Sequence, residues 1–152
     1  LKAGLMVSIM DILKGTAATL LPFLPFFTDT NIHPLILGVV AVIGHMYPIF
    51  AKFKGGKAVA TSGGVLLAYH WPIFLLMILS FFIVLKLSKM VSFTSMVLGV
   101  IALIYTLAYN IFFEVDIPLL VVTVLLSSFI LYRHRANIIR IKAGTEPKVK
   151  WI

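Results

Sequence analysis

Cysteine is absent from the 152 residues, so neither disulfide staples nor thiolate metal ligation can contribute to fold or function. The four histidines, His33, His45, His70 and His134, lie far apart, and no pair has metal-ligand spacing. The sequence therefore offers no metal-ligand motif. Acidic residues are scarce, with Asp11, Asp29, Glu114, Asp116 and Glu146 the full set. Charged residues amount to 12% of the chain, against about a quarter in an ordinary soluble domain. Internal repeats and low-complexity tracts are also missing, and no cleavable signal peptide is evident within residues 1–152.

Hydrophobic residues make up 61% of the chain and the mean hydropathy is +1.11, which places it among membrane proteins. The net charge of +8 could suggest a nucleic-acid partner. The lysines and arginines, however, sit at the ends of apolar runs, a pattern that suits anionic membrane lipids and argues against nucleic acid. Apolar segments cover 4–27, 34–50, 58–70, 72–86, 91–110 and 117–132. The first contains Asp11, Lys14, Pro22 and Pro25, yet is long enough to span about 30 Å of hydrocarbon. A turn-rich stretch, Thr28-Asp29-Thr30-Asn31-Ile32-His33-Pro34, follows it. The fold class expected is an all-α, polytopic integral membrane bundle.

Residues 58–86 read either as one long helix or as two, broken at His70-Trp71-Pro72. Charge topology favours two. With six crossings, Lys52, Lys54 and Lys57 share a side with Lys86, Lys89 and the basic tail, while Asp29, Glu114 and Asp116 take the other side without a lysine or arginine. The positive-inside rule then makes the basic face cytoplasmic. Residues 58–70 give only about 20 Å of helix, short for a crossing, so a re-entrant or partly buried helix is expected there. Its Thr61, Ser62, Gly63 and Gly64 are small enough for close helix approach.

Two basic clusters are the candidates for chemistry. In the first, Lys52, Lys54 and Lys57 gather around Gly55-Gly56, just before a new apolar segment. Glycines permit close backbone approach, and a following helix N-terminus presents amide groups and partial positive charge, which together suit a phosphate. The stretch matches neither the P-loop pattern nor a dinucleotide fingerprint, and a basic loop that only fixes topology fits the same residues. The second cluster is the tail, Tyr132 to Arg140. If the last span continues as a helix past Leu131, His134 and Asn137 share a face and can hydrogen-bond a phosphate or a reacting oxygen; a juxtamembrane lipid-binding helix is the alternative. Asp11 and Lys14, three apart inside the first span, read as a mutually neutralising structural pair. His45 reads as a packing histidine, and His33 and His70 receive no role.

At this point the residues resemble a known family. Gly44-His45-x-x-Pro48 followed by Phe53-Lys54-Gly55-Gly56-Lys57-x-Val59-Ala60-Thr61 resembles the second cytoplasmic motif of the bacterial acyl-phosphate:glycerol-3-phosphate acyltransferases, the PlsY family. Tyr132-Arg133-His134-Arg135-x-Asn137 with Gly144-Thr145-Glu146-Pro147 is similar to its third motif, and Asp11-Ile12-Leu13-Lys14-Gly15 to its second span. The resemblance implies a seven-helix membrane enzyme that moves a fatty acyl group from acyl phosphate to the 1-hydroxyl of glycerol 3-phosphate, forming lysophosphatidic acid without metal or cofactor. Its substrates, together with membrane lipids, would be the partners. Lys52, Lys54, Gly55, Gly56 and Lys57 would bind phosphate, with Lys57 foremost. His134 and Asn137 would act on the reacting groups, and Glu146, Asp11 and Lys14 would give structural support. The family's first motif precedes its second span and has no counterpart after Leu1, so residues 1–152 are expected to be a single acyltransferase domain shortened at its N-terminus. A small-anion transporter or an inactive scaffold are the competing readings.

Overall fold

The computed structural model describes residues 2–27 and 31–150. Thr28, Asp29 and Thr30 of the expected loop lie outside the described residues. Seven α-helices follow one another among the described residues: α1 (Lys2–Leu20), α2 (Pro34–Met46), α3 (Val59–Tyr69), α4 (Trp71–Ser88), α5 (Val91–Phe112), α6 (Ile117–Arg133) and α7 (Arg135–Lys142). Short 3-10 turns occupy Leu21–Phe23 and Ile49–Ala51, and no strand occurs among the described residues.

The six apolar segments correspond to α1 through α6. Proline sets several of their limits. Pro22 ends α1 and opens the 3-10 turn, while Pro34 and Pro118 occupy the first turns of α2 and α6, where a missing N–H costs nothing. Both helices are also capped: His33 Nδ1 accepts from the Leu35 N–H at 3.3 Å, and Asp116 Oδ1 from the Leu119 N–H at 2.8 Å. The 58–86 stretch is two helices, divided at His70. By length and composition four helices can cross a membrane: α1 and α2, each with its following 3-10 turn, α4 and α5; α6 with α7 makes a fifth if that bent pair is one span. At 11 residues α3 is about 17 Å long and too short to cross alone. Its residues Thr61 to Leu66 are all buried. Leu5, Met10, Val40, Leu79, Phe82, Ile104 and Val121 instead point outward from their helices, the side-chain distribution of a bundle solvated by hydrocarbon.

The chain divides into two compact units, one ending at Phe74 and the other starting at Leu75. In the first, α1, α2 and α3 pack together around Leu35, Val42, Met46, Val65 and Leu66. The α1–α3 crossing is backbone against backbone. A Cβ on Gly15 would lie 2.2 Å from the Thr61 carbonyl oxygen, and one on Gly64 would lie 2.0 Å from that of Ile12. Thr16 Oγ1 donates to the Gly64 carbonyl across the same contact, at 3.0 Å.

In the second unit α5 and α6 pack through small and polar residues. Ser127 Oγ donates to the Gly99 carbonyl at 2.8 Å, and Thr106 and Thr123 face each other at 3.3 Å while each also bonds back within its own helix. The last span departs from expectation. Instead of running on past Leu131 as one helix, it stops at Arg133, and α7 leaves at 57°. His134 stands at the break with φ −96° and ψ 7°, and its N–H is shared between the Ile130 and Leu131 carbonyls, the tightened final turn of a terminating helix.

Candidate active site

The first cluster begins where α2 ends. After Pro48 the 3-10 turn leads into Lys52 and Phe53, both left-handed with φ 50° and 61°. The chain then runs back along the end of α2, so that Gly55 N–H donates to the Met46 carbonyl and Gly56 N–H to the His45 carbonyl, each at 3.2 Å. These carbonyls belong to the last turn of α2, where no intrahelical donor remains. The fit leaves no room for side chains. A Cβ on Gly55 would come within 2.1 Å of the His45 carbonyl oxygen, and one on Gly56 within 2.1 Å of His45 Nε2. The two glycines therefore serve close approach to the protein itself, and their amides, expected to face a phosphate, are engaged by α2.

Beyond the glycines, Lys57 and Ala58 lead into α3. Ala58 is again left-handed, at φ 61°, and no side chain caps the helix. The opening turn of α3 thus carries the partial positive charge of a helix start without a side-chain acceptor on it. Thr61 Oγ1 and Ser62 Oγ, in that first turn, are fully buried and have no hydrogen-bond partner among the described residues.

Asp11 and Lys14 meet this cluster from α1. Lys14 Nζ lies 2.9 Å from Asp11 Oδ1 and 3.0 Å from His45 Nδ1, and the same Asp11 oxygen lies 3.3 Å from His45 Nδ1. A cleft of about 500 Å³ opens here, lined by Lys14, Ala41, Gly44, His45, Pro48, Gly55 and Gly56. Lys52, Lys54 and Lys57 are exposed and do not line it. His45, read from sequence as a packing histidine, is the third member of the Asp11–Lys14 pair. No local signal reveals this, because 31 residues separate it from Lys14.

In the second unit His134 and Asn137 are both buried, at 2% and 5% exposure, although the helix break falls at His134. His134 Nδ1 lies 2.8 Å from the Ile130 carbonyl, so it is the N–H-bearing nitrogen and Nε2 is the basic one. Asn137 Nδ2 donates to Glu146 Oε1 at 2.7 Å. The same carboxylate accepts from Ser92 Oγ on Oε1 and from Arg140 Nε on Oε2, the latter at 2.8 Å. Gly144, at φ 70°, makes this possible. Its N–H bonds to Ile141 and that of Thr145 to Arg140, the two-bond helix ending that reverses the chain and returns Glu146 to α7. The Ser92 hydroxyl, with Asn137 and Arg140, holds the Glu146 carboxyl down at about 2 against the opposing effect of burial, so it is ionised at neutral pH. Ser92 lies 54 residues from Glu146 and was not anticipated. Among the described residues no group of three His, Cys, Asp or Glu side chains could hold a metal ion.

The match to known proteins extends over the whole chain. The family model described as glycerol-3-phosphate acyltransferase matches residues 1–144. The glycerol-3-phosphate acyltransferase of Bacillus subtilis (strain 168) is 59% identical over 151 residues, 99% of this chain and 74% of the relative. That of Geobacillus kaustophilus (strain HTA426) is 55% identical over 150 residues, 99% of this chain and 73% of the relative. Among solved structures, the glycerol 3-phosphate form of PlsY, an integral membrane glycerol 3-phosphate acyltransferase, superposes with a TM-score of 0.86 at 31% identity, over 97% of this chain and 72% of that one. The lysophosphatidic acid form of PlsY gives 0.85 with the same identity and coverage. On these grounds the chain, an integral membrane protein of packed apolar helices, belongs to the glycerol-3-phosphate acyltransferase family.

Proposed function

We propose that this protein transfers a fatty acyl group from acyl phosphate to the 1-hydroxyl of glycerol 3-phosphate, releasing phosphate and forming lysophosphatidic acid. The relatives are named for acylation of glycerol 3-phosphate, and the two PlsY forms are described with glycerol 3-phosphate and with lysophosphatidic acid. In the reaction the hydroxyl oxygen attacks the acyl carbonyl carbon, the bond from that carbon to the phosphate oxygen breaks, and the hydroxyl proton leaves with the phosphate. Acyl phosphate is a mixed anhydride whose phosphate departs readily, so the enzyme's share of the work is to align two phosphorylated molecules and to neutralise their charge.

The observation that carries this reading is the opening of α3. A left-handed Ala58, no side-chain cap and an immediately preceding Lys57 form a cationic helix start of the kind that binds phosphate. We assign Lys57 the central contact, with Lys52 and Lys54 adding field and Gly55-Gly56 shaping the turn. His134 and Asn137 are assigned hydrogen bonds to the glycerol phosphate or the reacting oxygens, His134 through Nε2. Glu146 braces the tail, and Asp11 and Lys14 support the turn. Residues 1–152 would act as one acyltransferase domain, in the inner membrane, with the cytoplasmic orientation that the lysine and arginine distribution favours.

The test is phosphate release from palmitoyl phosphate in liposomes carrying the protein. Release should require glycerol 3-phosphate and should be abolished in a folded Lys57→Ala variant. Wild-type release by that variant would remove Lys57 from the site, and uptake of labelled glycerol 3-phosphate without acylation would replace the enzyme reading with a transporter.

A further inference from the structure

The Asp11–Lys14–His45 cluster is not a simple ion pair placed in a helix bundle. It touches the glycine turn through one side chain. The His45 ring has its Nδ1 edge fixed by α1, 3.0 Å from Lys14 Nζ and 3.3 Å from Asp11 Oδ1. Its opposite edge, at Nε2, lies where a Gly56 side chain would begin. The backbone of the same residue accepts the Gly56 N–H. One residue therefore holds Gly56 twice, by a carbonyl below and a ring beside it, and α1 holds the ring.

We infer that His45 is a positioning residue: α1 sets its ring through Lys14 and Asp11, and the ring in turn sets the path of Gly55-Gly56 into Lys57 and the start of α3. This rests on the reading above that the turn binds phosphate, since the benefit of a fixed turn is a fixed set of phosphate contacts. Two physical features support it. Lys52 and Phe53 enter the turn in left-handed conformations that an unrestrained chain avoids, so something must hold the loop there. In addition, a lysine and an aspartate within a membrane-spanning helix are costly unless they have a task or a partner, and here the pair has a third group between itself and the turn.

The geometry supplies its own test. The three atoms nearest a side chain at Gly56 all belong to the His45 imidazole, whereas those nearest one at Gly55 are the carbonyl oxygens of His45 and Met46 and the Pro48 Cδ, none of them in the His45 ring. In liposomes with palmitoyl phosphate and glycerol 3-phosphate, Gly56→Ala should raise KM for a phosphorylated substrate at least tenfold, with a smaller change in kcat. In a His45→Ala background the same Gly56→Ala change should cost less than twofold, because the colliding ring is gone. Gly55→Ala should cost the same in both backgrounds. His45→Ala alone should raise KM several-fold and, in micelles without substrate, should speed tryptic cleavage after Lys54 and Lys57; Lys14→Met should do the same more weakly. Equal cost of Gly56→Ala in both backgrounds, or unchanged cleavage in His45→Ala, overturns the positioning role. The phosphate reading fails separately, if Lys57→Ala leaves KM for both substrates unchanged while cleavage still responds to His45→Ala.

Discussion

The two basic clusters are held by different physics. The turn at Gly55-Gly56 is fixed by fit: amides on helix-end carbonyls, glycine against an imidazole, and an α1–α3 crossing so close that only hydrogen fits at Gly15 and Gly64. The tail around His134 and Asn137 is fixed by charge, with one glutamate accepting from Ser92, Asn137 and Arg140. A steric clamp responds first to volume. An ionic clamp tolerates changes of volume nearby but fails when its proton returns.

The largest effect expected follows from adding volume to the first region. Gly64→Ala sets a methyl group against the Ile12 carbonyl oxygen, with backbone on both sides and no flexible group to yield. It should cost about 3 kcal/mol, the upper end for overpacking, read as a lowered thermal midpoint in micelles. Next comes removal of the ionic clamp. Glu146→Ala leaves the Asn137 amide and the Arg140 guanidinium without their acceptor and should cost about 2 kcal/mol by the same measurement, with faster proteolysis of the tail.

Acid should separate the two regions without mutation. Glu146 binds its proton near 4.5 in the unfolded chain but near 2 in the folded one. Its contribution is therefore complete above pH 4.5 and is lost as pH falls toward 2. Proteolysis of residues 143–150 should accelerate over that interval, and in Glu146→Gln that acceleration should vanish while cleavage in the glycine turn keeps its wild-type pH dependence. Ser92→Ala, which deletes one of the hydrogen bonds that hold the Glu146 carboxyl down, should move the onset of tail proteolysis to higher pH. The smallest effect belongs to Asp116→Ala, at the start of α6. It removes one helix cap and should cost about 1 kcal/mol with no change in KM.

The fold was readable in sequence wherever hydrocarbon or proline dictates structure. Six apolar segments became six helices, and Pro34 and Pro118 mark where two of them start. The break at His70, chosen on charge topology, also appears. The bend at His134 was not readable, because Tyr132 to Asn137 contains neither proline nor glycine. Nor were the contacts of His45 with Lys14 and of Ser92 with Glu146, since pattern reading sees neighbours three or four apart and these residues are 31 and 54 apart. The glycine pair was recognised as a place of close approach, but what approaches is the end of α2.

Lys52, Phe53 and Ala58 place three left-handed, non-glycine residues within seven positions, each at a cost of about 1 kcal/mol relative to ordinary backbone. A loop built this way has its contour decided during folding, so on the proposed phosphate reading an incoming anion would inherit a finished mould and lose little affinity to ordering it. It also means that the loop is fixed in length: one residue inserted or deleted between Lys52 and Ala58 would shift these reversals of hand onto the wrong side chains, and α3 would start in a different place.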